Sequence, residues 1–407
     1  MDNLSLAVLV MLPLIAVLAP VLAALIGRVV RIPLVVFEIL LGMLFGPPLL
    51  GWVSPNEITE QLSDLGLCML FLLAGNEIDF GKIRGRPLNR SILGWLFALV
   101  VGVAVALVLA PSPAAAIFIG VALTSTALGT LMPILRDAGE LRTPFGTVVI
   151  AIGAVGEFGP LIAISLFLSG RQPGVATVVL LAFVVITAVA IYLAGRGPYP
   201  RLHSLITTTL HTSGQFAVRL VIFLLLALVA LSVLLDLDML IGAFAAGVIA
   251  KLLLSGADEH DKEVVDGKLE AVGFGFLVPI FFISTGLTFD LDALVSNPTT
   301  LLMLPLFLVL LALVRGSSTL FTSGGLPKPD RRAVLLLGAT GLPIIVAVTN
   351  IGVDDGALQS GTAAALVGAG MLSVLLFPLI GLALHRRAPG GAVKPADLGT
   401  PEIAEEG

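Results

Sequence analysis

Thirteen apolar stretches of bilayer-spanning length follow one another along this 407-residue chain, and runs of that length satisfy their backbone in lipid only as helices. They cover residues 4–27, 32–53, 58–80, 89–110, 113–135, 145–169, 174–195, 216–235, 238–254, 270–289, 298–322, 331–352 and 356–384. The eighth and ninth are the closest pair, divided by little more than Asp236-Leu237-Asp238. Charged residues make up 12% of the chain against about 25% in soluble domains, which excludes a soluble globular enzyme. The single cysteine, Cys68, lies in an apolar run, which excludes an intramolecular disulfide or a cysteine-built metal site. Asp2 and Asn3 stand where a secretory leader would be basic, so the first stretch is expected to be a helix of the bundle.

Basic residues orient the bundle. Of the 22 lysines and arginines, all but Arg171 and Arg315 fall in the odd-numbered connections or the C-terminal tail. Arg28 and Arg31 occupy the first connection, for example, and Lys328, Arg331 and Arg332 the eleventh. The positive-inside rule then puts these connections and the C-terminus in the cytoplasm and the N-terminus outside. Acidic residues mark the opposite end: Glu57, Glu60, Asp236, Asp238, Asp290, Asp292, Asp354 and Asp355. Residues 255–270 mix both signs and read as a surface linker or interfacial helix. The polar tail 388–407 is expected to be disordered and cytoplasmic.

One stretch concentrates the chemistry. In FGTVVIAIGAVGEFGPLIAISLFLS (145–169) the only ionisable side chain, Glu157, lies at the midpoint, where a carboxylate costs a few kcal/mol and usually marks an ion or proton path. Gly153, Gly156 and Gly159 recur every third position, which would let another backbone approach. Pro160 has no N–H, so a continuous helix would leave the Gly156 carbonyl without a partner, and a free carbonyl beside a carboxylate is a ligand pair for a small cation.

Segments five and twelve share a Thr/Gly/Pro-rich centre. Pro133 and Pro343 would free the carbonyls of Gly129 and Ala339, and Thr340 and Gly341 add to the break in segment twelve. A shift of seven segments relates them, as it does four to eleven and six to thirteen. Seven is odd, so the repeats run in opposite senses, the pattern that in transporters points to the binding site. Arg315 lies ~7.5 Å from the middle of segment eleven towards the cytoplasm at the helical rise, where a permanent cation needs an anion, a row of carbonyls or water. Glu157 is the one mid-helix carboxylate at similar depth.

PLVVFEILLGMLFGPPLLG (33–51), LSDLGLCMLFLLAGNEIDF (62–80), IGAFAAGVIAKLLL (241–254) and VPIFFISTGLTFDLDAL (278–294) resemble, in order and spacing, the monovalent cation:proton antiporter-2 family, the Kef-like sodium/proton exchangers. The resemblance covers about residues 8–383. It implies an all-α membrane domain, 1–387, of thirteen helices in two inverted repeats with two crossed, discontinuous helices. It also implies a mobile core near 89–169 and 298–384, and dimerisation helices near 4–53 and 174–254 in a homodimer. One cytosolic ion would be exchanged for protons by elevator-like alternating access. The family's acidic motif falls on Gly156-Glu157, its basic residue in the eleventh helix on Arg315, and its Thr/Ser-rich crossing motif on Thr124, Ser125 and Thr126. Glycine in place of the first polar member and Glu in place of Asp are departures. Phe37 is another, standing where the family usually has glycine before Glu38.

The expected function is exchange of Na⁺ or K⁺ for protons, with Glu157 binding either ion, the Thr124–Thr126 segment and the Gly156 carbonyl as ligands, and Arg315 as ion-pair partner or support. A single carboxylate suits electroneutral exchange. Alternatives are a transport-inactive sensor or assembly protein on the same fold, a proton-coupled exporter of a small organic molecule, and a passive channel. No enzymatic activity, cofactor or nucleic-acid partner is expected. Glu38 is carried as a further candidate carboxylate beside the preferred reading, a buried carboxylate satisfied near a helix end, and His203, His211, His260 and His385 are expected to be cytoplasmic polar residues or pH sensors.

Overall fold

A computed structural model describes residues 3–26, 33–78, 83, 85–141, 143–167, 173–194, 208–209, 215–254 and 258–387. The expectations for the tail 388–407, His203, His211, Arg28, Arg31 and Arg171 fall outside these residues.

Among the described residues the secondary structure is helical. In chain order the helices are α1 (Asn3–Ile26), α2 (Leu34–Phe45), α3 (Glu57–Glu77), α4 (Arg86–Leu109), α5 (Pro113–Leu123), α6 (Leu128–Asp137), α7 (Pro144–Phe167), α8 (Pro173–Ala194), α9 (Phe216–Leu234) and α10 (Met239–Leu254). There follow α11 (Glu259–Val272), α12 (Val278–Leu287), α13 (Leu291–Val295), α14 (Pro298–Leu310), α15 (Thr319–Thr322), α16 (Lys328–Gly338), α17 (Pro343–Asp354) and α18 (Ser360–His385). Nine helical spans among the described residues are long and apolar enough to cross a membrane, and four shorter apolar helices coincide with the remaining predicted segments. The chain is therefore a multi-pass membrane protein, and the thirteen predicted segments coincide with these nine spans and four shorter helices.

Two differences from expectation concern the linker and segment eleven. Residues 259–272 are helical and run through a π-turn at Gly273–Leu277 into α12, so the linker and the tenth span are one rod. A second π-turn, Leu311–Arg315, interrupts segment eleven and ends on the arginine. Such turns often occur at functional sites.

The helices pack as two groups. In the first, α3 lies against α10 and α12, α2 against α12, and α1 against α2 and α12. The α2–α12 contact is a glycine crossing: a Cβ on Gly42 would run into the Ile283 carbonyl, and one on Gly286 into the Ile39 carbonyl. Small residues at such crossings let helices approach closely in lipid, where no hydrophobic effect drives association. In the second group α4 covers α5 and α7, α16 and α14 cover α18, and α17 packs on both α5 and α18. The two groups meet where α3 touches α6, α10 touches α7, and Phe158 stacks on Phe244 with ring centroids 4.9 Å apart.

Candidate functional site

Among the described residues, segments five and twelve are the predicted spans whose helices part near their middles, at 124–127 and 339–342. The fifth breaks before the predicted position. Gly129 and Pro133 lie inside α6, while the Thr-Ser-Thr sequence is the unwound part. Hydroxyls explain this: Thr124 Oγ1 donates to the Val121 carbonyl at 2.8 Å and Ser125 Oγ to that of Ala122 at 2.9 Å, satisfying the end of α5 without another helical turn. In segment twelve Thr340 and Gly341 lie in the break as expected, whereas Pro343 opens α17 at its first position, where a missing N–H costs nothing.

The two breaks cross. The Ala127 N–H donates to the Thr340 carbonyl at 2.7 Å, and Thr126 Oγ1 donates to the Gly338 carbonyl, the end of α16, at 2.6 Å. Ser373 of α18, which the sequence reading did not single out, accepts from the Gly341 N–H at 3.1 Å and fixes the second break from behind. Irregular backbone at this depth is thus paired with protein.

α7 passes the crossing without a break, and Pro160 sits inside a continuous helix. The carbonyl it releases, that of Gly156, accepts from the Thr126 N–H at 2.9 Å. The expectation of a free Gly156 carbonyl is therefore corrected: Pro160 supplies an acceptor for the unwound backbone. The three glycines also serve another purpose than backbone approach. They receive side chains, Leu128 at Gly153, Arg315 and Thr126 at Gly156, and the Trp95 ring at Gly159.

Glu157 is 1% exposed, and its Oε2 has no hydrogen-bond partner. The Leu128 N–H, the first of α6, faces the carboxylate, and Glu77 at the end of α3 acts on it through space. The carboxylate thus meets the N-terminus of a half-helix, where unpaired N–H groups and the helix dipole favour an anion.

Arg315 is not the ion-pair partner of Glu157. Its Nε–H donates to Thr126 Oγ1 at 2.7 Å, its Nη2 to the Ile152 carbonyl at 2.7 Å and its Nη1 to Ser318 Oγ at 3.1 Å. Of the three solutions open to a buried guanidinium it takes neutral oxygens, and in doing so it occupies the space that a side chain at position 156 would need. The glycine in the acidic motif and the arginine in segment eleven are therefore one feature, not two. Of the three crossing residues, Thr126 lies against Gly156, and its hydroxyl is already engaged by Arg315 and Gly338.

Other polar groups were missed because they meet only in three dimensions. Lys251 Nζ donates to the Asn76 and Glu77 carbonyls at 2.8 and 3.1 Å, and Asn76 Nδ2 donates to Asp266 at 3.0 Å, tying α3 to α10 and α11. The late lysine in the otherwise apolar α10 was the available cue. His385, expected as a polar surface residue or sensor, is buried between two carboxylates. Nδ1 lies 2.8 Å from Asp330 and Nε2 3.0 Å from Glu140, with the ring stacked on Phe145 at 3.9 Å. Glu140 also accepts from Thr143 Oγ1, which in turn accepts from the Gly146 N–H at the start of α7. His260 is exposed. Glu38 is buried at 4% exposure, but with no hydrogen bond or ion pair among the described residues, contrary to the expected satisfied carboxylate.

Comparison with known proteins agrees with this architecture. The chain is 27% identical to YjbQ of Bacillus subtilis (strain 168), a match covering 95% of this chain and 64% of that protein, so the chain spans slightly under two thirds of that relative's length. It is 26% identical to the Na(+)/H(+) antiporter of Enterococcus hirae, over 87% of this chain and 92% of the other. It is also 26% identical to the Na(+)/H(+)-K(+) antiporter GerN of Bacillus cereus, over 69% and 72%. The fold is similar to that of the sodium proton antiporter MjNhaP1 from Methanocaldococcus jannaschii, with a TM-score of 0.58, 14% identity and coverage of 93% of this chain and 99% of the other. Residues 14–382 match the transmembrane sodium/hydrogen exchanger family, which takes in both crossed helices, Glu157 and Arg315, and the chain belongs to that family.

Proposed function

We propose that the protein exchanges a monovalent cation, Na⁺ or K⁺, for protons by alternating access, and that Glu157 carries either ion in turn. The observation that carries this reading is the Glu157 carboxylate: buried at mid-membrane, aimed at the N-terminus of a half-helix, and with one oxygen unpartnered. Either a proton or a desolvated alkali ion completes that group, so the two compete for one place. Arg315 keeps its charge and its three oxygen partners whichever ion is bound. The charge of the loaded core is then the same in both half-cycles, which makes the exchange electroneutral. The names of the Enterococcus and Bacillus cereus relatives support the ion class.

In this reading the α4–α7 and α14–α18 group moves against the α1–α3 and α9–α12 group. The basic connections face the cytoplasm with the C-terminus, and two copies associate through the helices near 4–53 and 174–254. Purified protein in proteoliposomes, with proton flux followed by fluorescence dequenching on addition of Na⁺, K⁺ or Li⁺, tests the reading. Dequenching by at least one ion in wild type and its loss in Glu157→Gln are expected. No response from folded, reconstituted wild type, or full activity in the variant, would reject it.

A further inference from the structure

Two crevices enter between the two helix groups from opposite ends. The one at the acidic end has a volume of about 600 Å³ and is bordered by Asp64, Asp238, Asp290 and Asp354. The one at the C-terminal end has a volume of about 390 Å³ and is walled by apolar side chains such as Leu70 and Phe282. Among the described residues lining the second crevice, two are charged: Arg386 at its mouth and Glu38 within it. Glu38 is 4% exposed and has no hydrogen-bond or ion-pair partner among the described residues. Its carboxylate opens onto the crevice with no protein group to balance it, and a cation or proton entering there would do so.

The position of Glu38 gives the crevice a direction. Glu38 stands on α2, which the Gly42–Gly286 crossing fixes to α12 in the first helix group. The opposite wall includes Gly129 and Thr130, the first turn of α6 in the second group. The residue before them, Leu128, offers its N–H to Glu157. The crevice that holds the Glu38 carboxylate therefore ends one residue short of the helix terminus that holds Glu157.

We infer that Glu38 is a second binding site for the transported ion, alkali cation or proton, through which ions pass between the C-terminal face and Glu157. This rests on the exchange reading above. Glu38 belongs to the group that stays in place, so it loads or unloads the moving site on one face only, and its removal acts on that face alone.

The test is cation-driven proton flux in vesicles of known orientation, with the cation titrated from the C-terminal face and then from the opposite face, for wild type, Glu38→Gln and Glu38→Asp. Loss of a charged oxygen ligand should raise the half-saturating cation concentration about tenfold on the C-terminal face. The opposite face should be unaffected, and Glu38→Asp should recover most of the difference. Equal effects on both faces, or none, would overturn the inference while leaving the exchange reading intact. Absence of cation-driven flux in wild type would overturn both. Should Glu38→Gln fail to fold, labelling of wild-type Glu38 by a hydrophobic carbodiimide, read by peptide mass spectrometry, replaces it. Protection by saturating Na⁺ or K⁺ on the C-terminal face is expected, and unchanged labelling would refute the site.

Discussion

The Nε–H of Arg315 donates to the Thr126 hydroxyl at 2.7 Å, and Thr126 passes its own hydrogen to the Gly338 carbonyl at 2.6 Å. The buried cation is thereby joined to both interrupted helices, since Thr126 belongs to one break and Gly338 ends the helix before the other. Glu157, five residues along α7 from the Ile152 carbonyl that Arg315 also holds, is left outside this network. In the proposed exchange, support and ion binding are thus divided between two charged residues.

Arg315→Lys should be destabilising although it conserves charge. A lysine ammonium lacks the planar fork that reaches Ile152, Thr126 and Ser318 together. Loss of even one such charged hydrogen bond costs roughly 1.5–3 kcal/mol. A clear fall in the melting temperature of the detergent-solubilised protein is expected, and an unchanged one would show that the network contributes nothing.

Gly156→Ala should disturb the same network from the other side. The added methyl would meet the Arg315 guanidinium and the Thr126 side chain, and overpacking of this kind costs about 1–3 kcal/mol. Thermal unfolding should show the loss. Combining the substitution with Arg315→Met, which shortens the intruding group, should give less than the sum of the two single effects.

His385→Ala should cost roughly 3–5 kcal/mol, the usual penalty for leaving buried charge unpaired, because Glu140 and Asp330 would both lose their shared partner. Both ring nitrogens face carboxylate oxygens, so one truncation removes two contacts at once. Thermal unfolding of the detergent-solubilised variant measures the loss, and an unchanged melting temperature would show that the cluster contributes nothing.

Asp238, in the connection before α10, is held above its ordinary value of 3.8 by burial, partly opposed by the Leu240 N–H that it accepts. The folded state then keeps a proton that the unfolded state has already released, so this residue's stabilising contribution is present at low pH and is lost as pH rises through the window above 3.8. Asp238→Asn retains an oxygen for Leu240 and never ionises. Its stability relative to wild type should rise with pH across that window, as measured by melting temperature.

Much of this protein could be read from local pattern. Thirteen spans, the inverted pairing of segments four to six with eleven to thirteen, the existence of breaks in segments five and twelve (though not the place of the first), and Glu157 and Arg315 as the anomalies all follow from hydropathy, poor helix formers and the cost of charge in lipid. These properties belong to a residue and its immediate neighbours, so sequence contains them. Partner choice does not. That Pro160 releases a carbonyl was legible; that Thr126 takes it was not. That Arg315 needs oxygens was legible; that they are neutral and that Gly156 makes room for the fork depended on which helices cross. His385 and Glu38 exchanged their expected situations for the same reason: the first met two carboxylates 55 and 245 residues away, and the second met none. Hydropathy and charge act locally and set what must be buried, whereas the pairing of buried polar groups is decided by packing between helices distant in sequence, which only the tertiary structure brings together.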